Sequence, residues 1–217
     1  CVPLALLKAG CIAGRIIMLE PRRLAAVRAA QYMAQQLGEK VGETVGYRIR
    51  GDNRISAHTK IEVVTEGILA RLIQNDPELT GIGLIIFDEF HERSLHADLG
   101  LALARDVQKN WRDNLKILVM SATLDGVAVS KLLDNAPMIE SAGRSYPVEI
   151  VYCPIAKNSF IENHAAQIVL RALQEQQGDI LVFLPGQREI RRVQTLLENN
   201  SAIASIKIHT LYGEATG

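Results

Sequence analysis

The sequence predicts an α/β protein: a parallel sheet flanked by helices, followed by the start of a second unit of the same kind. Short apolar, β-branched runs recur at 16–19 (IIML), 61–64 (IEVV), 84–87 (LIIF), 117–120 (ILVM) and 180–183 (ILVF), separated by stretches of helical period. That alternation is expected of βαβ units. Each run is followed at once by a polar or turn-forming segment, and ligands of open parallel sheets sit at such strand ends. Composition agrees: 48% hydrophobic, 22% charged and 5% aromatic residues suffice to bury a core and exclude a disordered chain.

Taken in order, Val2 to Ala9 reads as a helix cut at its start, too short to span a membrane. Residues 22–37 place Leu24, Val27, Ala30, Ala34 and Leu37 on one helical face, and Gly38 can supply the left-handed residue that ends the helix. Residues 95–108 and 160–176 read as further amphipathic helices, with Asp125 as N-cap of a short helix through Leu133. Trp111 is expected to pack at a helix end. Small and turn-forming residues from Ala142 to Pro147 interrupt the pattern and set a boundary between 1–144 and 145–217. IIMLEPRRLAAV (16–27) and LVFLPGQREIRR (181–192) echo each other, each running from an apolar strand through a Pro-containing turn into a helix.

Charge is balanced, with 24 Lys and Arg against 24 Asp and Glu, so no global argument for nucleic acid holds. Its distribution says more. Arg22, Arg23, Arg28, Lys40, Arg48, Arg50, Arg54 and Lys60 face only Glu39, Glu43 and Asp52 between positions 22 and 60. This is either a phosphate-contacting surface or a solvated basic face. Cys1, Cys11 and Cys153 are odd in number and in no metal-ligand spacing, which suits a reducing cytoplasm and no disulfide framework.

Chemistry concentrates at Asp88-Glu89-Phe90-His91, which closes the apolar run 84–87. Two carboxylates at the tip of a buried strand suit a nucleotide-bound Mg²⁺, an ion that dehydrates reluctantly and takes one or two carboxylates plus water and phosphate. Asp88 would be the outer ligand, Glu89 would orient or deprotonate a water beside the γ-phosphate of ATP, and His91 would sit at the lip. Because roughly 2% of chains this long carry D-E-x-H by chance, the tetrapeptide decides nothing alone. A metal hydrolase using Asp88, Glu89, His91, His96 and Asp98 is disfavoured, since His91 and His96 are five residues apart and not the four that stack on one helical face. His58, His164 and His209 stand singly and read as surface or structural residues.

The joint order of Pro21-Arg22-Arg23, Thr65-Glu66-Gly67, Asp88-Glu89-Phe90-His91, Ser121-Ala122-Thr123 and Pro185-Gly186-Gln187 resembles the DEAH-box superfamily 2 helicases, and FDEFHERSLHADL (87–99) resembles their bacterial HrpB type. The resemblance covers essentially the whole chain. It implies two RecA-like lobes, the first over 1–144 and the beginning of the second over 145–217, and an ATP-dependent helicase whose cofactors are ATP and Mg²⁺. It also implies a partner, a single-stranded nucleic acid, taken as RNA on the same ground. Asp88 and Glu89 would act as above, His91 would link the nucleotide site to the second lobe, and Ser121 and Thr123 would couple hydrolysis to lobe movement. Pro21, Arg22, Arg23, Thr65, Glu66 and Gly67 would lie along the sugar-phosphate backbone, with Gly186 and Gln187 facing the strand from the second lobe. Phe90 departs from the family's usual Ala, and Arg188 from a common acidic residue. A second reading keeps the scaffold without catalysis, as a strand-binding or adaptor module.

No G-x-x-x-x-G-K-[ST] phosphate loop occurs in the sequence, and the resemblance puts one immediately before residue 1 and an Arg-rich motif beyond residue 217. Without the backbone N–H cradle and Lys of that loop, Asp88 and Glu89 have no held substrate. The 217-residue chain alone is therefore expected to hydrolyse ATP far more slowly than the full-length protein containing it, as measured by phosphate release from the two at equal concentration.

Overall fold

Six strands form one sheet in the order β3-β2-β4-β1-β5-β6: β1 (Arg15–Leu19), β2 (Val45–Ile49), β3 (Asp52–Arg54), β4 (Ile61–Val64), β5 (Ile82–Phe87) and β6 (Lys116–Val119). All neighbours run parallel except β2 and β3, an antiparallel hairpin at one edge. The computed structural model describes residues 1–122, 126–141, 143, 146–155, 157 and 159–212. The chain divides into two units, Cys1–Ser141, which holds the sheet, and Ala142–Gly217.

Four of the predicted strands are present; β1, β4 and β5 are buried on both faces, and the edge strand β6 only partly. Helices α1 (Val2–Ala9) and α2 (Arg23–Leu37) cover one face, where Leu4, Ala26, Ala30 and Met33 meet Ile16, Met18, Ile61, Val63, Leu84 and Ile86. Helices α3 (Glu66–Asn75) and α4 (Leu95–Asn110) cover the other, where Leu69, Leu101 and Ala104 meet Ile17, Leu19, Val64, Ile85 and Phe87. Such double cover explains the unbroken apolar runs, since a strand buried on both sides has no polar face to alternate. Each fully buried Ile, Leu or Phe contributes about 1.5–3 kcal/mol.

Several expectations need correction. Helix α2 turns Ala26, Ala30, Met33 and Ala34 inward, while Leu24 is 74% exposed. Small alanines let the helix lie close on the bulky sheet surface, so packing overrides the larger residues' hydrophobicity. Gly38 does end the helix left-handed, with φ 72°. Trp111 ends α4 and is exposed, not packed. Strands β2 and β3 carry no apolar run, and β2 includes Gly46 and Arg48. A Cβ on Gly46 would stand 2.2 Å from the Arg54 carbonyl oxygen, so the close return of the hairpin requires glycine. Asp125, the expected N-cap of α5 (Gly126–Leu132), lies outside the described residues.

In the second unit, α6 (Ile161–Glu175) and α7 (Gln187–Glu198) pack through Ala166, Val169, Val193 and Leu197, with Ile203 beneath them. The run 180–183 is not a strand: Phe183 is 87% exposed. A strand exists only by pairing, and among the described residues of this unit none pairs with it.

At the amino edge of β5, Arg15 pairs with Ile82 and Ile16 with Leu84, which leaves Gly83 as an extra residue. A Cβ there would lie 2.0 Å from the Ala13 carbonyl oxygen, whereas one on Gly67 of α3 would meet nothing within 4 Å. Gly83→Ala is expected to destabilise the chain by about 1–3 kcal/mol or more. Gly67→Ala is expected to stabilise it by up to about 1 kcal/mol through helix propensity. Thermal melts of the two variants beside the parent check both signs.

Candidate active site

Parallel pairing puts the carboxyl ends of β4, β1, β5 and β6 at one edge. The ladder runs one residue past the strands: Glu20 N–H donates to the Val64 carbonyl at 2.9 Å, Asp88 N–H to Leu19 at 3.0 Å and Met120 N–H to Phe87 at 2.8 Å. Glu20, Asp88 and Met120 therefore stand abreast, with Ser121 following Met120. Thr65, at the adjoining end of β4, is bonded through its N–H to the Arg48 carbonyl at 3.4 Å. Most of the predicted first-unit residues share this edge. Thr123 lies outside the described residues, and Gly186 and Gln187 open α7 in the second unit.

After β5 the chain turns sharply. Glu89 adopts a left-handed conformation, φ 51° and ψ 33°, which costs a non-glycine residue about 1–2 kcal/mol. The surroundings hold it there. Its N–H donates to Asp88 Oδ1 at 2.9 Å, its carbonyl accepts from Glu92 N–H at 2.9 Å, and Phe90 N–H donates to the Met120 carbonyl at 3.2 Å. Phe90 is buried edge-on to Phe87, with ring centroids 6.3 Å apart, and anchors the 3₁₀ turn Phe90–Glu92. The position that departs from the family's Ala thus fastens the turn. His91 Nε2 stands 3.4 Å from Glu89 Oε2, and His91 Nδ1 is buried with no hydrogen-bond partner among the described residues, a mismatch that an arriving group can correct.

Around this turn the predicted strand-binding residues have other partners. Pro21 bends the chain out of β1. Arg22, 72% exposed, pairs with Glu92 Oε1 at 2.7 Å, and Arg23 donates to the Arg50 carbonyl at the hairpin tip at 3.0 Å. Glu66 accepts a short hydrogen bond from Ser94, the N-cap of α4, whose Oγ also accepts from Ala97 N–H at 2.9 Å. Glu66 thereby ties the end of β4 to the segment after the carboxylate pair. Gly67 sits in the open first turn of α3.

The DEAD/DEAH box helicase family pattern matches residues 2–132. The chain belongs to this family. This chain is 50% identical over 212 residues to the ATP-dependent RNA helicase HrpB of Escherichia coli K12, covering 98% of this chain and 26% of that protein. To the ATP-dependent RNA helicase HrpA of Borreliella burgdorferi it is 38% identical over 203 residues, covering 92% and 24%. Crystal structures of the E. coli DEAH/RHA helicase HrpB and of the E. coli DExH-box NTPase HrpB match it at TM-scores of 0.88 and 0.82, each at 49% identity over 99% of this chain. These matches cover 27% and 26% of those chains, so this chain spans about a quarter of the length of these relatives. Its sheet is the RecA-like fold that the resemblance predicts.

One acid escapes sequence reasoning. Glu20 follows β1, is only 6% exposed, and Arg22 beside it pairs elsewhere. Burial, with the charges of Asp88, Glu89 and Glu92 adding to it, pushes its carboxyl up to about 7, against a smaller opposing effect of the Arg22 backbone N–H. Burial likewise raises Asp88, although the Glu89 N–H opposes it. A carboxyl raised on folding binds more protons folded than unfolded, so its effect on stability turns unfavourable as pH rises from the ordinary 4.5 towards about 7, and the deficit is complete above that. Glu20→Gln is therefore expected to melt higher than the parent at about pH 8, by of order 1 kcal/mol or more, with the difference shrinking towards about pH 5. Paired melts across that range check the sign.

Proposed function

We propose that this chain is the central part of an ATP-dependent RNA helicase that couples ATP hydrolysis to strand translocation or unwinding. Residues 1–144 would be its first RecA-like lobe and 145–217 the start of the second. The observation that carries the reading is the carboxylate pair at the edge shared by β1, β5 and β6, with Glu89 held in a strained turn by Asp88, Phe90 and Glu92. Strain of that kind is concentrated at active sites, and here it falls on one of the paired carboxylates, which favours the catalytic reading over the adaptor.

The residues fit Mg²⁺. Among the described residues no three His, Cys, Asp or Glu side chains are grouped to hold a metal by themselves, but Mg²⁺ takes one or two carboxylates and completes its shell with water and phosphate. Four acids converge here, and their mutual repulsion helps hold Glu20 near 7, so the edge attracts a cation. Bound with ATP, Mg²⁺ offsets charge on the phosphates. Asp88 would hold it through water. Glu89 would take or orient the proton of the attacking water, His91 would meet the second lobe, and Ser121 and Thr123 would relay the change between lobes. Pro21, Arg22, Arg23, Thr65, Glu66 and Gly67 would line one side of a single RNA strand and Gly186 and Gln187 the other, with backbone contacts that give affinity without sequence preference. No described helix is long and apolar enough to cross a membrane, and three free cysteines suit the cytoplasm.

In the full-length protein, Glu89→Gln is expected to lower ATP turnover by about 10²-fold or more while nucleotide binding is kept, because the proton acceptor goes and Asp88 stays. Asp88→Asn is expected to weaken Mg²⁺-dependent nucleotide binding as well. Turnover assays beside nucleotide titrations separate the two, and equal loss of binding in both would refute the division of roles.

A further inference from the structure

Arg22 and Arg23 are sequence neighbours with different partners. Arg23 donates to a neutral carbonyl, that of Arg50, whereas Arg22 forms an ion pair with Glu92 Oε1 at 2.7 Å. Glu92 is no ordinary surface acid. It ends the 3₁₀ turn that follows the carboxylate pair, and its own N–H is bonded to the Glu89 carbonyl. Arg93, the next cation along the chain, turns away to Asp98 at 3.2 Å and lies over the Phe90 ring. Arg22 thus joins the proposed strand-binding edge to the turn that aims Glu89.

We propose that Glu92 is a positioning residue: it holds Arg22 while the edge is free of nucleic acid and yields it to a strand phosphate, so that strand binding is an exchange of partners on one guanidinium. The inference rests on the strand-binding reading of Arg22 given above. Strength favours exchange. With Arg22 mostly exposed, such a pair shifts an equilibrium by no more than about fivefold, while guanidinium and phosphate can meet through two parallel hydrogen bonds. The release is felt at the site, because Glu92 is one of three acids whose charge already bears on buried Glu20. Once Arg22 turns to phosphate, the turn loses its outward tether and Glu92 the guanidinium paired with it, so strand and nucleotide site influence each other reciprocally.

The test is a double-mutant cycle in the full-length protein, reading the affinity of a labelled oligouridine strand without nucleotide over a series of salt concentrations. Glu92→Gln removes the competitor and is expected to tighten binding by about two- to fivefold. Glu92→Asp, which keeps the charge, is expected to stay within about twofold of the parent. Arg22→Ala is expected to weaken binding and flatten the slope of log affinity against log salt by about 0.7, and adding Glu92→Gln to it should change nothing further. If Arg22→Ala flattens the slope but Glu92→Gln leaves affinity unchanged or weaker, the exchange is wrong and the strand-binding reading survives. If Arg22→Ala keeps the parental slope, that reading falls and the exchange falls with it.

Discussion

Parallel pairing of β4, β1, β5 and β6 is the constraint on which the rest of the first unit depends. In a parallel sheet every strand ends on the same side, so residues far apart in sequence are delivered to one line. The ladder bonds of Glu20, Asp88 and Met120 fix that line to within a residue, and a slip of one would turn every side chain of a strand from one helix layer to the other. Strands covered on both faces resist such slips, which is why the site can sit on short turns without their being long or heavily cross-linked.

Electrostatics then sharpen what topology collects. Acids gather beside the end of β5 and cations beside the start of α2, and the two groups touch at Arg22 and Glu92. Elsewhere in the sheet a buried charge is neutralised locally: Glu62 on β4, almost wholly buried, lies 2.8 Å from Arg48 Nε and 3.4 Å from Arg15 Nη1. Among the ion pairs of the described residues, no guanidinium lies against the Glu20 carboxylate. The contrast separates an acid that serves the fold from one that leaves the edge electronegative.

Much of this was legible in the sequence where one-dimensional pattern and three-dimensional burial coincide. The runs ending at Leu19, Val64, Phe87 and Val119 announce themselves because both their faces are apolar, and the polar residues after them mark the shared edge. Strands β2 and β3 were not legible, since Gly46 and Arg48 break the apolar run and the hairpin exists through a close backbone approach that no pattern encodes. Burial of Glu20 and anchoring by Phe90 are likewise tertiary facts: a strand-end acid and an aromatic at a variable position look the same whether they face solvent or core. In the second unit, 180–183 has the composition of a strand, but composition cannot supply the neighbour that a strand needs.

The left-handed turn at Glu89 makes this site a place where durability and chemistry pull apart. Glycine or asparagine would occupy φ 51° at less cost, so a search of variants for thermal tolerance alone would drift towards them at position 89 and discard the carboxylate. Any programme of stabilising this scaffold has to hold that residue fixed and look for its gains elsewhere, such as at the exposed face of α2, where Leu24 contributes little to the core.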